Sequence, residues 1–132
     1  EQCIVGSLDY LNEQKNFSFY TNNGKSRVNL KINQIFKFLE KLPIGEVILN
    51  SMDMDGTGNG FDFSILKYLP KNFQKPIIYA GGAGNHRHLI DALKLKKIDS
   101  ISTANLLNFV GNGLQEARKH ILKEKIKLAK WI

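Results

Sequence analysis

The sequence predicts an α/β fold of four successive strand-then-helix units, half of an eightfold parallel barrel, and three observations carry that expectation. Apolar runs of strand length alternate with patterns of helical period along the chain, and the intervening segments are long enough for right-handed parallel crossovers. Two of those runs end in glycine-rich loops that lead into helices: Ile48-Leu49-Asn50-Ser51-Met52-Asp53-Met54-Asp55-Gly56-Thr57-Gly58-Asn59-Gly60-Phe61-Asp62, and Pro76-Ile77-Ile78-Tyr79-Ala80-Gly81-Gly82-Ala83-Gly84-Asn85. Finally, 132 residues, 42% of them hydrophobic, can bury one core, whereas a complete barrel takes about 250 residues. Residues 1–132 are therefore read as a single half-barrel domain.

Each element has its own signal. Cys3 to Leu8 alternates loosely between apolar and small residues and reads as a strand, with Asp9 as a carboxylate at its exit and Cys3 as a buried strand residue. Phe17 to Tyr20 and Ser26 to Val28 are β-forming segments flanking Asn22-Asn23-Gly24, which predicts a small hairpin after the first strand. Ile32, Ile35, Phe36 and Leu39 then lie on one face of a helix that Pro43 and Gly45 stop. The central strand spans about Glu46 to Ser51, and a short helix over Phe63 to Leu69 is closed by Pro70. Pro76 opens the next strand; a helix from His86 to Leu95 turns Leu89, Ala92 and Leu93 inward. Ile98 to Thr103 forms the last strand, and a terminal helix follows Gly111-Asn112-Gly113 with Leu114, Ala117, Ile121 and Leu122 facing in.

Composition narrows the function classes. No apolar run reaches the roughly 18 residues a membrane span requires, and no charged-then-apolar leader is evident, so the expectation is a soluble, cytoplasmic protein. A single cysteine excludes disulfide frameworks and cysteine-based metal sites. The net charge of +7 raises nucleic acid as a partner, but much of it sits in Lys119, Lys123, Lys125, Lys127 and Lys130, without an aromatic platform or arginine stripe. A solvated helix face that helps to attract an anionic substrate is the better reading.

The chemistry-bearing residues concentrate at the strand exits. Glycines there allow backbone N–H groups to approach an anion, and a helix N-terminus beyond them adds to the attraction for phosphate. Asp53 and Asp55 invite a calcium reading, but the glycine falls too early and no later glutamate stands at EF-hand spacing, so no metal is expected. His86 and His88 are two apart on a helix and point in different directions, which argues against a zinc pair. His120, in a lysine-rich helix, is read as solvated, and Trp131 as an anchor for the tail. In a strand of period two, Glu46, Ile48 and Asn50 share a face. Asp9 taken alone is better explained as a turn cap than by catalysis.

Ser51-Met52-Asp53-Met54-Asp55-Gly56-Thr57 followed by Gly60-Phe61-Asp62, Gly81-Gly82-Ala83-Gly84 and the Asp9 strand end together resemble the cyclase subunit of imidazole glycerol phosphate synthase, a (β/α)8 TIM barrel of histidine biosynthesis. The resemblance covers nearly the whole chain but only the C-terminal half of the family barrel, strands five to eight. It implies a lyase that uses ammonia from a glutaminase partner to convert a phosphorylated ribulosyl nucleotide into imidazole glycerol phosphate and an aminoimidazole carboxamide ribonucleotide, with no cofactor. Two carboxylates on opposite sides of the substrate suit such a ring closure, one to remove and one to deliver protons. By resemblance, Asp9 is the one the fifth strand supplies, the other lying on the absent first strand. Asp55 is implied to be a second important acid that orients substrate; Gly56, Gly82, Ala104 and Asn105 match a phosphate cradle, with Asn50, Thr57 and Gly81 as further substrate-binding positions. Glu46 matches a charged layer at the barrel bottom that gates ammonia entry.

The chain also departs from the family pattern, since Asn50 stands where threonine is usual, Ala80 where serine is usual, and Asn105 where serine is usual. The Leu-Asn-Ser form resembles a paralogous branch thought to supply an amidino group to a surface-polysaccharide sugar. A third reading is a non-catalytic phosphate-binding half barrel. In all three, the first and last strands are expected to have unpaired edges, which predicts a homodimer of half barrels or pairing with the missing N-terminal half.

Overall fold

The computed structural model describes residues 3–14, 16–104, 106 and 111–130. Six strands form one sheet in the spatial order β3-β2-β1-β4-β5-β6, where β1 is Val5–Glu13, β2 Asn16–Thr21, β3 Ser26–Val28, β4 Glu46–Ser51, β5 Ile77–Ala80 and β6 Ser100–Ser102. Strands β1, β4, β5 and β6 are parallel neighbours, and β2 and β3 add to β1 as an antiparallel ribbon. The four strands read from sequence are thus consecutive in the sheet. Between them lie α1 (Ile32–Lys41), a 3₁₀ helix (Phe63–Tyr68) and α2 (His86–Leu93), and α3 (Gly113–Lys123) follows β6.

The ribbon turns where the sequence said it would. Asn22 and Asn23 have φ of 53° and 54°, and Gly24 of 77°, a run of left-handed residues that Asn and Gly tolerate best. Its consequence for β1 was not foreseen. Parallel pairing with β4 runs from Val5 opposite Glu46 to Tyr10 opposite Ser51, while from Asp9 onward the other edge of β1 pairs with β2. The strand therefore continues to Glu13, and Asp9 lies within β1, not at its exit. Cys3, expected inside a strand, precedes β1 and is exposed.

The expectation of bare edges holds in part. Among the described residues β6 terminates one side of the sheet, and on β1 the ribbon covers only Asp9 to Glu13, so that Val5 to Leu8 pair on one side alone.

Period-two alternation divides the sheet into two faces. On one, Leu8, Tyr10, Val47, Leu49, Ile77 and Tyr79 are buried and pack with Ile35, Phe36 and Leu39 of α1 and with Ile65 and Leu66 of the 3₁₀ helix. On the other, Ser7, Asp9, Glu46, Ile48, Asn50, Ile78 and Ala80 keep part of their surface in solvent. A second cluster joins Leu89, Ile90 and Ala83 to Leu106, Ala117 and Ile121. α3 turns in only the stripe Gly113, Ala117 and Ile121; Leu114 and Leu122, expected inside, are 38% and 53% exposed. They lie one residue beyond that i, i+4 stripe, which is as much of α3 as the described contacts cover.

Candidate functional site

The C-terminal ends of the parallel strands meet at a cleft of about 140 Å³ lined by Asn50, Asp55, Gly56, Gly81, Gly82 and Ala104, together with Ala80, Ala83, Ser102 and Thr103. Three loops build it. The loop after β4 folds back on itself through Asp55 N–H donating to the Ser51 carbonyl at 3.0 Å, and it enters left-handed conformations at Gly56, Gly58 and Gly60. The loop after β5 docks against it backbone to backbone: Gly60 N–H donates to the Gly82 carbonyl at 2.8 Å. Gly82 has φ of 108°, and a Cβ there would collide with the Gly60 carbonyl oxygen, so glycine is required on both counts. The start of the segment after β6 closes the third side with Thr103 and Ala104.

Asp9 stands one strand away. It faces Asn50 in the β1–β4 register, and the Asn50 amide Nδ2 donates to Asp9 Oδ1 at 2.9 Å. The Ser7 hydroxyl donates to the same oxygen at 3.3 Å. Asp9 does not itself line the cleft; Asn50 does both.

The other acids in these loops are differently employed. Asp53 accepts from the Ser51 hydroxyl at 2.7 Å and, at 3.4 Å, from the Asn12 backbone N–H, which ties the loop to β1. Asp62 caps the 3₁₀ helix, accepting from Ser64 N–H at 2.9 Å, from the Ser64 hydroxyl and from the Asn12 amide. Burial pushes its carboxyl up, but these hydrogen bonds together outweigh that and hold it below its ordinary value. Asp55 is the acid that reaches the cleft.

Behind the cleft, Tyr79 donates to the Asp62 carbonyl and so accepts, at 2.8 Å, from Tyr10. Burial raises the Tyr10 phenol to about 12 and pushes Tyr79 up in the same direction, so both hydroxyls stay protonated and serve as structural links.

Several sequence expectations are redirected. Thr57 is not part of the cleft lining; its hydroxyl donates to the Met54 carbonyl at 2.8 Å and accepts from Asn59 N–H at 3.2 Å, closing the loop. The α2 N-terminus was expected to attract phosphate, but Asn85 caps Arg87 and His88 N–H groups at 2.9 and 3.2 Å, and Gly84 N–H donates to His88 Nδ1. Those donors are already used. His86 and His88 do diverge, as read; His86 stacks on His120 with ring centroids 4.0 Å apart, so His120 is half-buried and not simply solvated. Partial burial pushes His86 down, with the nearby charges of His120 and Arg87 adding to it. Glu46 is at the opposite end of β4, about 13 Å along the strand from Asn50. Asn105 and Trp131 lie outside the described residues.

Ser102 and Thr103 were missed: the β5–β6 register, which pairs Ala80 with Ser102, puts the serine in the row of Asn50 and Ala80, and no sequence motif marks it. Among the described residues no group of three or more His, Cys, Asp or Glu side chains could hold a metal ion, and no helix is long and apolar enough to cross a membrane.

Comparison with known proteins supplies the lineage. The model of a family described as "Histidine biosynthesis protein" matches residues 1–110. The chain belongs to this family. Within this histidine biosynthesis family, a putative imidazole glycerol phosphate synthase subunit hisF2 of Parasynechococcus marenigrum is 39% identical over 132 residues, covering 99% of this chain and 49% of the relative. The imidazole glycerol phosphate synthase subunits HisF of Bacillus pumilus and Methanococcus maripaludis are 30% and 36% identical, over 96% and 83% of this chain and 51% and 40% of their own lengths. The chain spans about half the length of the curated relatives it matches. Four parallel strands with a ribbon are accordingly half of the family's TIM barrel, as the sequence predicted.

Proposed function

We propose that this chain is the C-terminal half, strands five to eight, of a cytoplasmic imidazole glycerol phosphate synthase cyclase, and that it supplies one phosphate cradle and one of the two proton-transferring carboxylates. One observation supports this above the rest: Gly56, Gly82 and Ala104, from three loops far apart in sequence, line one small cleft beside the Asp9–Asn50 pair. Among the described residues the cleft lining contains hydroxyls, glycine backbone and one carboxylate, Asp55, and no lysine or arginine, so it selects an anion by directed N–H and O–H groups and not by a cation. Asp9 then serves as general acid or base toward a substrate extending from the cradle over the open face, and Asp55 orients it. At the far end of β4, Glu46 belongs to the route by which ammonia from a glutaminase subunit enters.

The opposing acid must come from the missing half, since Asp9 cannot both remove and deliver protons across a ring. Alone, the chain binds phosphate esters and turns over poorly; without the other half, two copies associate through the bare edges and open faces. A light-scattering mass of one chain at micromolar concentration would overturn that dimer. The decisive assay co-produces the chain with the N-terminal half of one of its full-length relatives and supplies the ribulosyl nucleotide and ammonium. Release of the aminoimidazole carboxamide ribonucleotide, lost by about 10²-fold or more in Asp9→Asn, is expected. Normal turnover by the isolated chain, or an active Asp9→Asn complex, would contradict the assignment.

Asn50 and Ala80 favour a second reading in the same fold. They are cross-strand partners beside the cleft, and both depart from the residues usual in the histidine enzyme. In that reading the full protein is the paralogue that amidinates a surface-polysaccharide sugar, and presenting each substrate together with the cognate glutaminase separates the two. Phosphate binding without turnover of either would leave the non-catalytic half barrel.

A further inference from the structure

We infer that Asn50 is a positioning residue that couples occupancy of the cleft to the orientation of the Asp9 carboxylate. This rests on the phosphate-cradle reading above and adds the link between its two parts. Asp9 does not line the cleft, and the side chain of the next residue in the cross-strand row, Ala80, has no hydrogen-bonding group. Among the described residues Asn50 reaches both: its Nδ2 donates to Asp9 Oδ1 at 2.9 Å, and it belongs to the wall that also contains Gly56 and Gly82.

The chemistry of the amide makes it a coupler. A primary amide carries two N–H donors and one acceptor on a single rigid plane. One hydrogen is committed to Asp9, which leaves the second for an anion in the cleft. Because the plane turns as a unit, drawing one hydrogen toward an anion redirects the other. Ser7 donates to the same carboxylate oxygen at 3.3 Å, so both donors converge on Oδ1, and among the described residues Oδ2 is the oxygen left for proton transfer. A threonine at this position has a single hydroxyl hydrogen and could serve the carboxylate or the anion, not both at once.

The test follows the isotopically labelled chain by NMR as inorganic phosphate is added. The Gly82 amide, the Asn50 side-chain amide and the Asp9 carboxyl carbon are expected to shift along one binding curve. In Asn50→Leu, the Gly82 amide still moves, with affinity weakened severalfold, while the Asp9 response falls below a quarter of its original size. Asn50→Thr provides a polar replacement should the leucine variant misfold, and it too is expected to keep phosphate binding and lose most of the Asp9 response. An Asp9 response that persists at full size in either variant overturns the coupling, as does a wild-type Asp9 that stays still while Gly82 moves. If Gly82 itself does not respond in the wild-type chain, the phosphate cradle fails and this inference fails with it.

Discussion

The two faces of the sheet are made by the same strands and do opposite things. On the covered face, Tyr10, Val47, Leu49 and Tyr79 are fully buried, and the polar chain from Tyr10 to Tyr79 to the Asp62 carbonyl is satisfied end to end. On the open face, Asp9, Asn50, Ala80 and Ser102 form a row of small or polar groups in which a carboxylate is held by an amide beside the cleft. The difference teaches that one residue of register separates stability from chemistry: Asp9 and Tyr10 are neighbours, yet only one of them belongs to each. Substitutions should therefore sort by face, and the loops joining the faces should be sensitive on both counts.

The largest effect is expected at the junction. Gly82→Ala forces a non-glycine residue into φ of 108° and sets its Cβ against the Gly60 carbonyl, which should cost about 3 kcal/mol in a urea melt and abolish phosphate binding. On the covered face, Tyr79→Phe leaves the Tyr10 hydroxyl and the Asp62 carbonyl without their shared partner, at a cost of about 1–3 kcal/mol, with phosphate affinity retained in the folded fraction. Tyr10 adds a pH dependence with a defined sign. Burial raises its phenol from 10 to about 12, so the fold favours the neutral form; that stability is complete below about pH 10 and is lost as pH rises toward about 12. Urea midpoints across that interval should fall more steeply for wild type than for Tyr10→Phe. The smallest effect on stability is expected on the open face, where Asp9→Asn should change the unfolding free energy by less than about 0.5 kcal/mol while lowering turnover by about 10²-fold or more in the reconstituted complex. A large loss of stability in Asp9→Asn would erase the contrast between the faces.

Much of this was legible in the sequence because it is local. The alternation of Glu46, Ile48 and Asn50, the Asn-Gly turn of the ribbon and the glycines after β4 and β5 each declare themselves within a few residues. What was not legible depends on partners distant in the chain. Asp9 lies within β1 because Tyr20 pairs with it across the ribbon, and the Tyr10–Tyr79 link joins residues 69 apart. Leu114 and Leu122 have a helical spacing that suits burial, but among the described residues α3 packs through the narrow stripe of Ala117 and Ile121 and through His120 stacked on His86 of α2. Likewise, the α2 N-terminus looked open to an anion until Asn85 and His88 were seen to occupy its donors. Of the residues that line the cleft, the glycines and Asp55 stand in motifs that the sequence displays and Ser102 does not, because its place follows from a strand register.

The most direct test is a crystal structure of the chain grown with inorganic phosphate. The account predicts an anion seated between Gly56, Gly82 and Ala104, within hydrogen-bonding distance of their backbone N–H groups and on the same side of the sheet as Asp9. An empty cleft with phosphate bound elsewhere, or with those three residues pointed apart, would contradict it.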